Sequence, residues 1–165
     1  MRKTLEFIVS GSEVTRYHTV TTLVRETVGH HSHGVAMMVL LINPRASGSL
    51  LRAALMHDLA EHQTGDIPSP AKREYGIGEQ VNELEHRLML EAGIEFPELS
   101  AEDLRTLKLA DIAQGAMYCL REVSLGNKMM QRIFRRYSEY AEAMEPVGRE
   151  REVFNAIYDL EWVYE

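Results

Sequence analysis

Apolar residues along this chain recur at helical spacing almost throughout, and the interruptions fall at glycine, proline and asparagine. Thr4 to Val9 reads as a short helix ended near Gly11, and residues 12–18 start a second short segment carrying Arg16 and Tyr17. Thr19 to Glu26 is ambiguous between strand and loop, because Val20, Thr21, Thr22 and Val24 are β-branched. Val28 to Ile42 is a near-continuous apolar helix with His30, His31 and His33 at its start. Its interior is apolar all round, the pattern of a central, buried helix, and Asn43-Pro44 stops it. Ser49 to Thr64 reads as the next helix, closed by Gly65. Ile67-Pro68-Ser69-Pro70 then predicts a stiff, extended loop, since each proline fixes its own φ and pushes its predecessor out of the α region.

The second half is helical as well. Gly78 to Ala92 is amphipathic, with Val81, Leu84, Leu88 and Leu90 as its apolar positions, and Gly93 ends it. Ser100-Ala101-Glu102-Asp103 resembles a capping box with Asp in place of the usual Glu or Gln. The helix behind it runs to about Glu122 and carries Asp111. Beyond Gly126 come two more, roughly Lys128 to Met144 and Val147 to Tyr164. The prediction is an all-α fold with five or six main helices. The length of 165 residues, without repeats, low-complexity tracts or a linker, predicts one domain over 1–165.

Composition narrows the classes. Apolar residues make up 45%, enough for a real core, and no apolar run approaches the ~20 residues of a membrane span. The N-terminus lacks the apolar segment of a signal peptide. A single cysteine, Cys119, excludes an internal disulfide and fits a reducing cytosol, so a cytoplasmic location is expected. The net charge of −7 argues against binding a nucleic-acid polymer. A small anionic ligand stays compatible with it, because local cations and a metal override the global field.

The chemistry concentrates in His57-Asp58-Leu59-Ala60-Glu61-His62-Gln63-Thr64-Gly65-Asp66, with five ionisable residues in ten positions. On a continuous helix His57, Asp58 and Glu61 fall within an arc of roughly 100°, and Asp66 returns on the loop after Gly65. So much charge on an apolar helix needs a partner, and a divalent metal is the simplest one for an adjacent His-Asp pair. Asp111, in Leu107-Lys108-Leu109-Ala110-Asp111-Ile112-Ala113, is a second acidic residue in an apolar stretch. Any of His30, His31 and His33 can complete the set, and periodicity does not choose among them. Mixed nitrogen and carboxylate ligands suit Zn, Mn, Co, Fe or Ni. Lys108 lies one turn before Asp111 and can face the same cavity. Tyr17, Ile67 and Pro68 are candidates for a base or sugar pocket or for core packing, and His62 is read either as structural or as a residue supporting the ligands.

The order His…His-Asp…Asp on successive helices resembles the HD-domain phosphohydrolase superfamily, and within it the branch of bacterial 5′-deoxynucleotidases and phage deoxyadenosine triphosphatases. The matching pieces are Arg16-Tyr17-His18, Thr27-Val28-Gly29-His30-His31-Ser32, His57-Asp58-Leu59-Ala60-Glu61 through Gly65-Asp66, Ile67-Pro68-Ser69-Pro70-Ala71-Lys72, and Lys108-Leu109-Ala110-Asp111. The resemblance implies an HD-domain bundle of five to seven helices. In this branch the first ligand precedes a serine, which selects His31. His31, His57, Asp58 and Asp111 would then hold a divalent metal (Co, Mn, Zn or Mg), as one ion or more. Glu61 would position or deprotonate the attacking water, and Asp66 would contact the reacting phosphate region or a second metal. Arg16, Tyr17, Lys72 and Lys108 would bind the substrate, a small deoxynucleotide.

By that resemblance the expected activity is a dATP triphosphohydrolase releasing deoxyadenosine and triphosphate. Its expected role is dATP depletion in a phage with 2-aminoadenine DNA, acting in the host cytoplasm. Removal of the single phosphate from deoxynucleoside monophosphates is the alternative. A catalytically silent nucleotide-binding scaffold would be expected to have lost ligands or base, and all are present. A guanosine-tetraphosphate hydrolase is disfavoured by the Gly-Asp-x-Pro-x-Pro block. A homo-oligomer is expected, with the C-terminal helix (Val153, Phe154, Ile157, Tyr158, Leu160, Trp162, Val163) able to serve as interface or to pack on its own domain.

Overall fold

The computed structural model describes residues 1–161. It is all-α: α1 (Arg2–Ser12), α2 (Val28–Ile42), α3 (Gly48–Met56), α4 (Glu61–Thr64), α5 (Ser69–Glu74), α6 (Gly78–Glu91), α7 (Ala101–Ser124), α8 (Met130–Ala143) and α9 (Arg149–Glu161). Seven of these are nine residues or longer, and α4 and α5 are single short turns. The only β pairing among the described residues is an isolated bridge between Thr15 and Thr27. None of these helices is long and apolar enough to cross a membrane.

The long α7 is the axis of the bundle, packed by α2, α3, α8 and α9. Ser100 caps its start by accepting from the Asp103 amide at 3.1 Å, as the capping-box reading anticipated. Leu109, Ala110, Ile112, Ala113, Ala116 and Leu120 of α7 pack with Val35, Val39, Leu50, Met130, Phe134 and Phe154 in the main core. Phe154 and Ile157 place α9 on its own domain. Trp162, Val163 and Tyr164, which the expected helix included, lie outside the described residues. α2 is not buried all round: Val35, Ala36, Val39 and Ile42 face the core, whereas Met37, Leu40 and Leu41 are exposed. α7, α3, α1 and α9 all pack on this helix and still leave those three side chains uncovered.

Two elements differ from their sequence pattern. The expected continuous helix Ser49–Thr64 breaks at His57. The Nδ1 atoms of His57 and His62 take the carbonyls of Ala54 (2.9 Å) and Leu59 (3.1 Å), which an unbroken α-helix would give to backbone amides. The amides of Leu59, Glu61 and Gln63 bond instead to Met56, Asp58 and Ala60, three residues back, the tighter 3₁₀ spacing. The wheel that placed His57, Asp58 and Glu61 on one arc therefore does not apply. The second difference is Ser69–Glu74, a helix where an extended loop was expected. Pro70 sits in its first turn, where amides have no intrahelical partner, so the missing N–H costs nothing.

A smaller core of Phe7, Leu59, Ala60, Met89, Ala92 and Ile94 holds the 57–60 turn against α1 and α6. Gly11 makes this approach feasible, since a Cβ there would lie 2.4 Å from the Leu59 carbonyl oxygen. His62 stands edge-on to Phe7 with ring centroids 4.4 Å apart, so its ring packs on this smaller core.

Residues 13–27 form an ordered crossing rather than a helix. The Arg16 amide bonds the Glu26 carbonyl at 3.0 Å, and the Val28 amide bonds Val14 at 2.9 Å. The crossing is fastened to α7 by Glu122, which is fully buried and accepts from the Leu23 and Val24 amides at 2.7 Å each and from Asn127 Nδ2 at 2.8 Å. Burial pushes the Glu122 carboxyl up, but the Leu23 amide, Asn127 and the Val24 amide outweigh it and hold it below its ordinary value. Such a group adds stability above its unfolded pKa that is lost as pH falls through the lower folded value. Glu122→Gln is therefore expected to cost about 2–3 kcal/mol at neutral pH. It should also flatten the acid limb below about pH 4.3, both read by urea denaturation across pH.

Candidate metal centre

The tight turn after α3 presents His57 and Asp58 toward His31 on α2 and Asp111 on α7. Their ring and carboxylate atoms converge. His31 Nε2 lies 3.3 Å from His57 Nε2, 3.3 Å from Asp111 Oδ1 and 3.5 Å from Asp58 Oδ2, and His57 Nε2 is 3.4 Å from Asp58 Oδ2. His31 is fully buried, whereas His30 and His33 on the same helix are exposed.

The tautomers follow from the partners. His57 Nδ1 meets the Ala54 carbonyl and His31 Nδ1 meets Gln114 Oε1 at 2.5 Å; both partners can only accept. Each Nδ1 therefore carries the proton, and each neutral ring aims an Nε2 lone pair at the same point. Three of these contacts meet at His31 Nε2 and the fourth joins His57 Nε2 to Asp58 Oδ2; lone pairs and carboxylate oxygens in contact at 3.3–3.5 Å repel unless a cation lies among them. Ligand arms of about 2.1 Å in tetrahedral array give donor separations of about 3.4 Å. The His31, His57 and Asp58 donors thus form a divalent-metal cluster, and Asp111 adds a fourth oxygen to it.

The charge balance points the same way. The cluster opens into a cleft of about 390 Å³ whose lining holds Asp58, Glu61, Asp66, Glu85 and Asp111 against Arg16, Lys72 and Lys108. Burial pushes the Asp58 carboxyl up, but neighbouring positive charge, the Arg16 guanidinium included, outweighs it and the net value is lowered. Asp111 is held well below the usual carboxylate range, with Lys108 Nζ at 2.8 Å as its main charge partner against burial. Glu61 goes the other way. It is 5% exposed, its Oε2 has no hydrogen-bond partner, and burial together with Asp58 and Asp66 pushes it up to about 10.

The remaining sequence candidates fall into two groups. Arg16, Lys72, Lys108 and Asp66 line the cleft with the cluster. Arg16 Nη1 pairs with Glu26 at 2.9 Å, and Lys72 lies 3.9 Å from Glu85. Asp66 Oδ2 accepts from the Tyr17 amide at 3.0 Å and so holds Tyr17 at a φ of 57°. Tyr17 itself turns away from the cluster. It stacks on Tyr118 at 4.7 Å, meets the Tyr137 hydroxyl at 3.0 Å, and lines an adjoining chamber of about 420 Å³. That chamber also holds Pro68, Pro70, Ile133, Tyr137 and Tyr140, and it shares Arg16, Asp66, Lys108 and Asp111 with the cleft. Sequence reasoning missed Glu26, Glu85 and Gln114. Gln114 alone had a signal, one turn beyond Asp111 on the same face of α7.

The raised Glu61 carboxyl carries a stability consequence. Between about 4.5 and about 10 the metal-free folded protein keeps a proton that the unfolded chain has lost, so folding weakens as pH rises through that window. Glu61→Gln is expected to remove that slope. Chemical denaturation of chelator-treated protein at several pH values measures it, and identical slopes in the two proteins would contradict the assigned burial.

The HD domain family matches residues 13–108, more than half of the chain. This span contains His31, His57, Asp58, Glu61 and Asp66 and stops just short of Asp111. A dATP triphosphohydrolase of Salmonella phage PMBT28 is 29% identical over 171 residues, covering 93% of this chain and 86% of the phage protein. Among solved structures, the cyanophage S-2L HD phosphohydrolase DatZ, bound to dA and one catalytic Zn²⁺ ion, superposes with a TM-score of 0.68 at 18% identity, covering 94% of this chain and 95% of that one. The PH0347 protein of Pyrococcus horikoshii OT3 does so with a TM-score of 0.66 at 19% identity and 98% coverage of both. With its all-α fold, its His/His/Asp cluster and this match, the chain belongs to the HD domain family.

Proposed function

We propose that this protein is a metal-dependent phosphohydrolase that converts dATP to deoxyadenosine and triphosphate. The carrying observation is the meeting of two imidazole lone pairs with the Asp58 and Asp111 carboxylates beside the buried, unpartnered Glu61 carboxyl. The activity named for the phage PMBT28 relative and the deoxyadenosine held by the cyanophage protein support the choice of substrate.

His31, His57, Asp58 and Asp111 would hold the ion. Bound there, a divalent metal lowers the pKa of its water and neutralises charge on phosphoryl oxygens. With the ion in place Glu61 would be drawn back to the ionised form by the positive charge, and that carboxylate takes the proton as the water oxygen bonds to the α-phosphorus and the α-phosphorus–O5′ bond breaks. The same proton is then available to the departing O5′. Arg16 keeps a buried, unpartnered Nε, a donor for the phosphates, and Lys72 and Lys108 add charge at the rim. Asp66 acts through the Tyr17 amide, holding the Arg16–Tyr17 segment in place. The aromatic chamber beside Tyr17 takes the base and sugar, whose stacking suits Tyr17, Tyr137 and the prolines. This reading extends to a single domain acting as a homo-oligomer in the cytoplasm, where the exposed Met37, Leu40 and Leu41 of α2 would be covered.

Incubation with Co²⁺, Mn²⁺, Zn²⁺ or Mg²⁺ and a panel of deoxynucleoside mono- and triphosphates tests the reaction. Deoxyadenosine plus intact triphosphate is the expected product pair; a single phosphate released from monophosphates only would replace it with a 5′-deoxynucleotidase. Asp58→Ala should lose both bound metal and turnover. Glu61→Gln should keep the metal and lose roughly 10²–10⁴-fold in rate.

A further inference from the structure

Gln114 stands between the metal cluster and the Arg16 crossing, and no sequence motif marks it. Its Oε1 meets His31 Nδ1, and its Nε2 donates to Glu26 Oε1 at 2.7 Å. Glu26 is 5% exposed, and its other oxygen, Oε2, accepts from Arg16 Nη1 at 2.9 Å. Arg16 Nη1 also reaches Gln114 Oε1 at 3.4 Å. The four residues form one chain of hydrogen bonds with a fixed direction. A carboxylate paired to a guanidinium can only accept, so the Gln114 amide must turn its NH₂ to Glu26 and its oxygen to His31. That oxygen then selects the His31 ring with the proton on Nδ1 and the lone pair on Nε2, where a metal would bind.

A second, independent observation concerns space. A Cβ at Gly34 would lie 2.7 Å from Gln114 Cγ, so the absence of a side chain on α2 makes room for this amide. Gly34 sits in a helix interior, where alanine is otherwise the better residue by about 1 kcal/mol. Its presence there is explained by the Gln114 side chain packed against it.

We propose that Gln114, oriented by Glu26 and seated against Gly34, is a positioning residue that fixes the His31 tautomer and thereby sets metal affinity. The inference rests on the proposed metal role of His31, but the tautomer itself is a property of the metal-free protein and can be read separately.

The test combines two measurements on the full chain, with native circular dichroism required of every variant. The first is Zn²⁺ affinity by chelator competition. Gln114→Ala, Glu26→Gln and Gly34→Ala should each weaken it by roughly 10–100-fold, Glu26→Gln because its amide lets the Gln114 side chain flip. The exchange variant carrying both Glu26→Gln and Gln114→Glu restores every donor and acceptor along the chain, with the new carboxylate accepting from His31 Nδ1 and from the new amide. It should recover affinity to within about threefold of the unaltered protein, a rescue that a merely structural role would not give. The second measurement is long-range ¹H–¹⁵N correlation NMR of the chelator-treated protein at about pH 8, where imidazoles are neutral. His31 should carry its proton on Nδ1 in the unaltered protein and the exchange variant, and shift toward the Nε2-protonated form in Glu26→Gln. Folded single variants with unchanged Zn²⁺ affinity, or a His31 protonated on Nε2 in the unaltered protein, would overturn the proposal. Failure of the unaltered protein to bind any Zn²⁺ would instead overturn the metal centre, leaving the tautomer measurement to decide the role of Gln114.

Discussion

The structure turns on a repulsion. Two imidazole nitrogens and two carboxylates converge through four contacts of 3.3–3.5 Å, three of them at His31 Nε2, and the ring protons are committed elsewhere. Such a cluster is costly in a protein interior unless a cation completes it. The bundle core carries that cost, because α2, α7 and the turn after α3 are fixed by apolar packing that does not involve the ligands. Rigid helices that meet for hydrophobic reasons deliver donors that would otherwise drift apart.

The turn at His57–Ala60 is the local counterpart of that constraint. His57 and His62 each bond a main-chain carbonyl of this stretch, so the helix tightens at the point where two adjacent ligand candidates must both reach the cluster. Gly11 lets α1 press directly on Leu59, and Phe7 and His62 close the far side. The same imidazole therefore shapes the backbone through Nδ1 and faces the cluster through Nε2.

Around the cluster, charge is sorted by depth. Asp58 and Asp111 remain ionised among histidines, Arg16 and Lys108, whereas Glu61 has burial and two neighbouring carboxylates against it and tends to keep its proton. Environments that push carboxyl pKa values apart in this way separate groups suited to holding a cation from a group suited to moving a proton. The cleft then continues into an aromatic chamber across shared residues, so a charged reacting group and a flat apolar one can be accommodated side by side.

The helical class, the spans Val28–Ile42 and Gly78–Ala92 to within a residue, and the cap at Ser100 were legible in the chain, because periodicity and capping are local properties. The gathering with Asp111 was expected for His57, Asp58, Glu61 and Lys108 partly from helical spacing, and for His31, Asp66, Arg16 and Lys72 from motif resemblance. Three histidines near the start of α2 looked alike, and only packing made one of them internal. Local reasoning failed where side chains compete with backbone: it missed the break after Met56, which imidazole–carbonyl bonds impose, and the helix that Pro70 begins rather than prevents. It also could not see that Tyr17 turns from the cluster into the neighbouring chamber, or that Glu26 and Gln114, 88 residues apart, share a hydrogen bond. Those relations depend on long-range contacts. The sequence by itself determined the helical class, most of the long helices and the chemistry they carry; the tertiary structure decided where the 49–64 helix breaks and which atoms meet, because both depend on how the helices pack.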